Sequence, residues 1–282
     1  GSDKIKVTYN APAKSEDIDE QVNILDEELS RYPDAVGIAS IDSAACSVQF
    51  DLATANGIPV ISLDSGNEYK GIQCIVKTDN EDAARTGAYK LANEIGDEGQ
   101  VILVVHDSNS ETAKERAKSF EEEIKNNYPS VSIVETIYCD KLDDLKKKIA
   151  VEKDPNMSED LQKAAVEKMT DDEVMQYYLK KYPDLKGVFG TNESSTIFAL
   201  EALQKTELAG KVALVGFDIS EEQTAAMKNG EISGLVVQNP FGMGYASVVA
   251  AARTVLQSGN EAVVDTGYIW VCLLYTSPSP RD

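Results

Sequence analysis

Histidine is nearly absent from this chain: His106 is the only one in 282 residues. A histidine-based triad or a multi-histidine metal site is therefore not expected. Positive charge is also scarce. Lys plus Arg is 27 against 48 Asp plus Glu, a formal charge of −21. A field of that sign repels phosphate backbones and excludes nucleic acid as a partner. The four cysteines, Cys46, Cys74, Cys139 and Cys272, form no C-x-x-C pair. They read as small hydrophobes rather than zinc or redox ligands. No apolar run is long enough to span a bilayer, and no signal peptide is visible. There is no P-loop, no G-x-S-x-G, and no G-x-G-x-x-G after a strand, so no nucleotide or other cofactor is expected.

What is present is length and rhythm. A chain of 282 residues, 42% hydrophobic, exceeds what one core usually accommodates. Short apolar stretches alternate with helical patterns. The expected strands are 4–9, 35–40, 58–63, 100–105, 131–138, 187–190, 212–217 and 232–237. Helical periodicity covers Ile18–Leu29, Ala83–Glu94, Glu111–Lys125, Thr196–Gln204 and Glu221–Lys228. This βαβα order with Val/Ile-rich strands predicts an α/β fold with doubly wound parallel sheets. Thr170 with Glu173, and Ser220 with Gln223, have capping-box spacing. Asn229–Gly230 should close the second of these helices. Met157–Gln176 is polar and helical, an excursion without a strand.

Polar residues follow the strands. Ile41–Asp42–Ser43, Asp64, His106–Asp107, Thr191–Asn192, Asp218 and Gln238 each stand just past an expected strand end. In an open parallel sheet that edge binds ligands. Any one of these residues could instead be a helix N-cap, although glutamine is not a favoured one. Asp64 and Asp218 could form a glycosidase-type carboxylate pair. Asp, Asn, Gln and Arg together read better as a set for polyol hydroxyls. Carboxylates accept, amides do both, and a guanidinium donates a rigid fork.

The chain resembles the type I periplasmic binding proteins of sugar ABC transporters, near the ribose-binding branch. The motifs are GIPVISLDSG (57–66), KTDN (77–80), KERAKSF (114–120), YPDLKGVFGTNE (182–193), KVALVGFD (211–218) and VVQNPFGMG (236–244). The resemblance implies two Rossmann-like lobes joined by three hinge crossings, with a sugar in the cleft between them. One lobe is then 1–78 plus 239–265, and the other 79–238 plus 266–271, with a helical insertion over about 146–176. The ligand set carried over is Asp64, Arg116, Asn192, Asp218 and Gln238. Lys141 joins it, since Lys141 or Leu142 stands where ribose binders place a second-lobe aromatic. Arg116 could alternatively be a surface-helix arginine paired with a glutamate. Ala39 replaces an amide kept by ribose binders, so the sugar is left open.

The implied function is capture of a monosaccharide or polyol and its delivery to ABC permease subunits. The implied protein is a monomer outside the cytoplasm, free or lipid-anchored, and not an enzyme. The alternative is the ligand-sensing core of a LacI-type regulator or of a sugar-sensing receptor. The family usually begins with a strand and helix ahead of 4–9, which makes a fragment the expectation. Residues 272–282, CLLYTSPSPRD, resemble a translated sequencing adapter and are expected to be a non-native tail.

Overall fold

The computed structural model describes residues 5–14 and 16–273. Most of the expected tail, residues 274–282, lies outside them. The chain forms two compact units. The first comprises the chain up to Thr78, Asn109–Thr112 and Asn239–Thr266; the second comprises Asp79–Ser108, Ala113–Gln238 and the chain from Gly267.

The first unit holds a four-stranded parallel sheet, ordered β1 (Val36–Ile38), β2 (Val60–Leu63), β3 (Cys74–Lys77), β9 (Val263–Asp265). Helices α1 (Ile18–Leu29) and α2 (Ser47–Ala55) contribute Leu25, Phe50 and Ala53 to one apolar cluster with Ile38, Val60 and Cys46, the residue before α2. Helix α10 (Pro240–Val255) lays Met243 and Ala250 on Ile61, Cys74 and Val76 in another. Ile61 and Val76 are fully buried, each worth about 1.5–3 kcal/mol on transfer from water.

The second unit is built on six strands, ordered β10-β8-β7-β6-β4-β5. These are β10 (Tyr268–Val271), β8 (Gly234–Gln238), β7 (Ala213–Phe217), β6 (Leu185–Gly190), β4 (Gly99–Val105) and β5 (Val131–Tyr138). All pairs are parallel except β10 with β8. Helices α3 (Asn80–Glu94) and α4 (Glu111–Asn127) feed one cluster around Val101, Leu103, Phe189 and Phe217. Helices α5 (Leu142–Lys153), α7 (Asp171–Lys181), α8 (Glu193–Lys205) and α9 (Glu221–Lys228) feed another around Ile102, Val188 and Leu214. Alternate residues of β4, β7 and β8 thus face opposite clusters. This is the arrangement that continuous Val/Ile runs predict.

Several expectations need correction. Residues 5–9 form no strand: Ile5, Val7 and Tyr9 are 54%, 65% and 87% exposed. Their alternation suits a strand, but a strand exists only by pairing, and β1 pairs with β2 alone among the described residues. The excursion at 157–176 is two helices, α6 (Glu159–Lys168) and α7. Helix α6 buries nothing, whereas α7 buries Val174, Met175, Tyr178 and Leu179. Its apolar spacing is helical beneath a polar composition. The Thr170–Glu173 capping box is complete. The Ser220–Gln223 one is half formed: Ser220 accepts from the Gln223 amide, but the Gln223 side chain donates to Phe217 O at 2.9 Å. Strands β3, β9 and β10 are short, and helix α2 has no clear apolar period.

One packing detail positions the site. A Cβ at Gly190 would lie 2.7 Å from Thr196 Cα and 2.8 Å from its N. A Cβ at Gly216 would lie 2.3 Å from Thr196 Oγ1. The two glycines let the first turn of α8 sit directly on β6 and β7. Gly190→Ala is expected to destabilise by about 1–3 kcal/mol in urea unfolding, and Gly216→Ala by a similar amount. The clash at Gly190 includes backbone atoms, and that at Gly216 includes both branches and the Cβ of Thr196, at 2.9 Å, which rotation does not move. Loss below about 0.5 kcal/mol in Gly190→Ala would contradict this packing.

Candidate functional site

Sheet order turns scattered strand ends into a row. Along the carboxyl edge of the second unit stand Gln238 (β8), Asp218 (β7), Thr191 and Asn192 (β6), His106 and Asp107 (β4), and Asp140 and Lys141 (β5).

Asp218 is the most constrained of them. Its φ is 65°, left-handed backbone, and its N donates to Val236 O at 2.9 Å. Tyr32, Asp97, Glu207 and Gln257 share that conformation just past helix ends, where it is ordinary. Asp218 instead ends a strand, and strain of about 1–2 kcal/mol at such a place is a mark of function. Its Oδ1 accepts from Gln238 Nε2 at 2.6 Å and its Oδ2 from Glu193 N at 3.1 Å. Glu193 opens α8, so the carboxylate sits against a helix N-terminus. A carboxylate has about four acceptor positions, so each oxygen keeps capacity after these bonds.

Asn192 caps α8. Its Oδ1 accepts from Ser195 N at 2.9 Å and Ser194 Oγ at 3.0 Å. The N-cap alternative is therefore correct for Asn192, and its Nδ2 donors are left for another role. For Asp218 the alternative fails, because Ser220 caps α9.

Arg116 is not a surface arginine. It is 2% exposed on α4. Its Nε donates to Asn80 Oδ1 at 2.9 Å and its Nη1 to Thr191 O at 2.7 Å. The guanidinium carbon lies 4.2 Å from the centre of the Phe217 ring. A charge buried this far requires such partners. Asn80 in turn donates to Glu115 Oε2 at 2.9 Å.

His106 stands beside this group. Its N donates to Thr191 Oγ1 at 3.1 Å, and its Nδ1 is 2.7 Å from the same oxygen. Burial, then the Arg116 charge, lower its pKa to about 4, against the opposing pull of Asp107, Asp218 and Asp140. Lys141 is exposed at the outer end of the row, 3.9 Å from Asp140 Oδ2, and Asp140 accepts from Ser108 Oγ at 2.6 Å.

The structure thus gathers Arg116, Asn192, Asp218 and Gln238 and sets Lys141 at the periphery. Asp64 belongs to the first unit. There it ends β2 with φ 57°, its N donating to Val76 O at 2.8 Å. It repeats Asp218's local geometry on its own sheet. Sequence reasoning overlooked Asn80, Phe217 and the His106–Thr191 contact, although KTDN and the residue before Asp218 were in view. The set offers carboxylate acceptors, amide donors and a seated guanidinium, a chemistry of hydroxyl recognition. Among the described residues no group of three or more His, Cys, Asp or Glu is placed to hold a metal. Burial leads in raising the thiols of Cys46, to about 11, and Cys139, to about 12, consistent with inert cysteines.

An α/β chain of two units, with parallel sheets and polar carboxyl edges, defines a class of ligand-binding folds. Residues 2–260 match the family described as periplasmic binding protein domain, and the chain belongs to that family. It is 24% identical over 236 residues to the ribose import binding protein RbsB of Bacillus subtilis, covering 83% of this chain and 67% of that protein. Against the D-apiose import binding protein of Paraburkholderia graminis, identity is 24% over 246 residues, 87% of this chain and 70% of that protein. A carbohydrate-transporter solute-binding protein from Agrobacterium radiobacter, solved with D-arabinose, superposes with TM-score 0.77. It is 26% identical, over 94% of this chain and 82% of that one. These relatives are binding proteins, not enzymes. No helix of the described residues is long and apolar enough to cross a membrane.

His106 gives a pH prediction. Its pKa is lower folded than unfolded, so its contribution is complete above the unfolded value of about 6.5. The contribution is lost as pH falls through about 4. Between pH 7 and 4.5, wild type should lose about 2–3 kcal/mol more unfolding free energy than His106→Asn. Equal losses in urea titrations would contradict the buried neutral imidazole.

Proposed function

We propose that this protein captures a monosaccharide or polyol through the carboxyl edge of its six-stranded sheet and delivers it to the permease subunits of an ABC transporter. The observation carrying the reading is Asp218. It is a strained carboxylate oriented by Gln238 and the α8 N-terminus, with Asn192 and the buried Arg116 beside it. Its oxygens are aimed and retain acceptor capacity, as hydroxyl recognition requires. Lys141 adds a cationic donor from the outer end of the row, and Asp64 is proposed as an acceptor on its own unit's edge. Relatives named for ribose and apiose import support sugars as the ligand class. The protein works outside the cytoplasm as a monomer, free or lipid-anchored, and uses no cofactor.

The test is thermal and chemical unfolding against a panel of D-ribose, D-allose, D-arabinose, D-fucose, D-tagatose and polyols. A sugar at 100 times its Kd should stabilise by about 2.7 kcal/mol. Asp218→Asn keeps the shape of the side chain and removes its charge, and it should abolish that gain. A panel without any shift would sink the sugar reading. Full binding by Asp218→Asn would move the site elsewhere.

A further inference from the structure

We propose that His106 is a positioning residue for Arg116: as a neutral imidazole protonated on Nε2, it fixes Thr191, whose carbonyl seats the guanidinium. The inference deepens the function proposed above and rests on it only for what Arg116 serves.

Hydrogen-bond accounting at Thr191 assigns the tautomer. Thr191 is fully buried. Its Oγ1 already accepts the His106 backbone N–H at 3.1 Å. The His106 ring meets the same oxygen through Nδ1 at 2.7 Å. If Nδ1 carried the proton, Oγ1 would accept twice, and the threonine hydroxyl hydrogen would have no acceptor among the described residues. A buried donor left so is costly. The arrangement that gives both the threonine hydroxyl hydrogen and Nδ1 a partner has Thr191 Oγ1–H donating to Nδ1. The ring proton then sits on Nε2, 3.7 Å from Asp107 Oδ2.

Thr191 is held three ways: its N donates to Val104 O at 3.0 Å, its hydroxyl is clasped by His106, and its O accepts from Arg116 Nη1 at 2.7 Å. The hydroxyl bond fixes the rotamer and tilt of the peptide that presents the carbonyl. A second proton on the ring would turn Nδ1 into a donor facing a donor, and would add positive charge beside Arg116. The charged groups around the ring are Arg116 from α4, Asp107 from its own loop, Asp218 after β7 and Asp140 after β5. Burial and Arg116 keep the ring neutral at ordinary pH, in agreement with the hydrogen-bond pattern.

Because His106 is the only histidine, its imidazole nitrogens can be read directly in ¹⁵N-labelled, tag-free protein. The expected spectrum at pH 7 is that of the Nε2–H tautomer, with a titration midpoint well below 6.5. Thr191→Val removes only the hydroxyl. It should abolish the tautomer preference, raise the midpoint and shift the Arg116 Nε–H resonance. An Nδ1–H tautomer would overturn the proposal, and so would a Thr191→Val protein with unchanged His106 and Arg116 signals. Where the panel above yields a binding sugar, His106→Leu should weaken it about tenfold. His106→Asn, whose amide oxygen can replace Nδ1 as acceptor, should stay within about threefold. Equal weakening by both variants would reduce His106 to packing and overturn the proposal. A panel with no hit would remove the sugar function while the spectra still decide the His106–Thr191–Arg116 linkage.

Discussion

A buried guanidinium constrains everything around it. Arg116 cannot shed its charge, so at 2% exposure it must be met by acceptors and a ring face. Those come from separate parts of the second unit. Asn80 opens α3, Thr191 follows β6, and Phe217 ends β7. The β-strand order, the seat of α8 on Gly190 and Gly216, and the register of β6 against β7 all bear on whether these meet. Removing one of these acceptors would leave a buried charged donor unsatisfied, a loss of about 1–3 kcal/mol.

From that anchor the row of polar groups follows. Thr191 gives its carbonyl to Arg116, and the next residue, Asn192, turns its side chain back to cap α8. The capped helix presents Glu193 N to Asp218, and Asp218 receives Gln238 from the neighbouring strand. These side chains are oriented by one another, which would lower the ordering cost for the proposed ligand. Asp218 and Asp64 carry the same left-handed backbone at the ends of β7 and β2. Two independent sheets thus use one local device to turn a strand's last carboxylate.

Much of this was legible in the chain. Val212–Phe217 and Gln100–Val105 are runs that only doubly covered strands explain, and their polar followers marked the edge. Gln238 stood out because glutamine is not a favoured cap, and Asp218 because Ser220, with Gln223, already had the capping spacing. What was hidden was partnership across sequence. Arg116 meets Asn80 across 36 residues and Thr191 across 75, and no local period records either. Ile5–Tyr9 failed for a related reason: alternation describes a strand's faces but not whether an edge awaits it. Helix α7 was undervalued because its buried residues, Val174, Met175, Tyr178 and Leu179, sit among charges that dominate composition.

The central claim is that the carboxyl edge of the second unit's sheet is where a sugar is held. Amide shift mapping during titration with a binding sugar tests it most directly. The account predicts saturable shifts concentrated at His106–Asp107, Thr191–Glu193, Asp218 and Gln238. Shifts clustered at the amino ends of the same strands, around Gly99, Leu185 and Ala213, would contradict it.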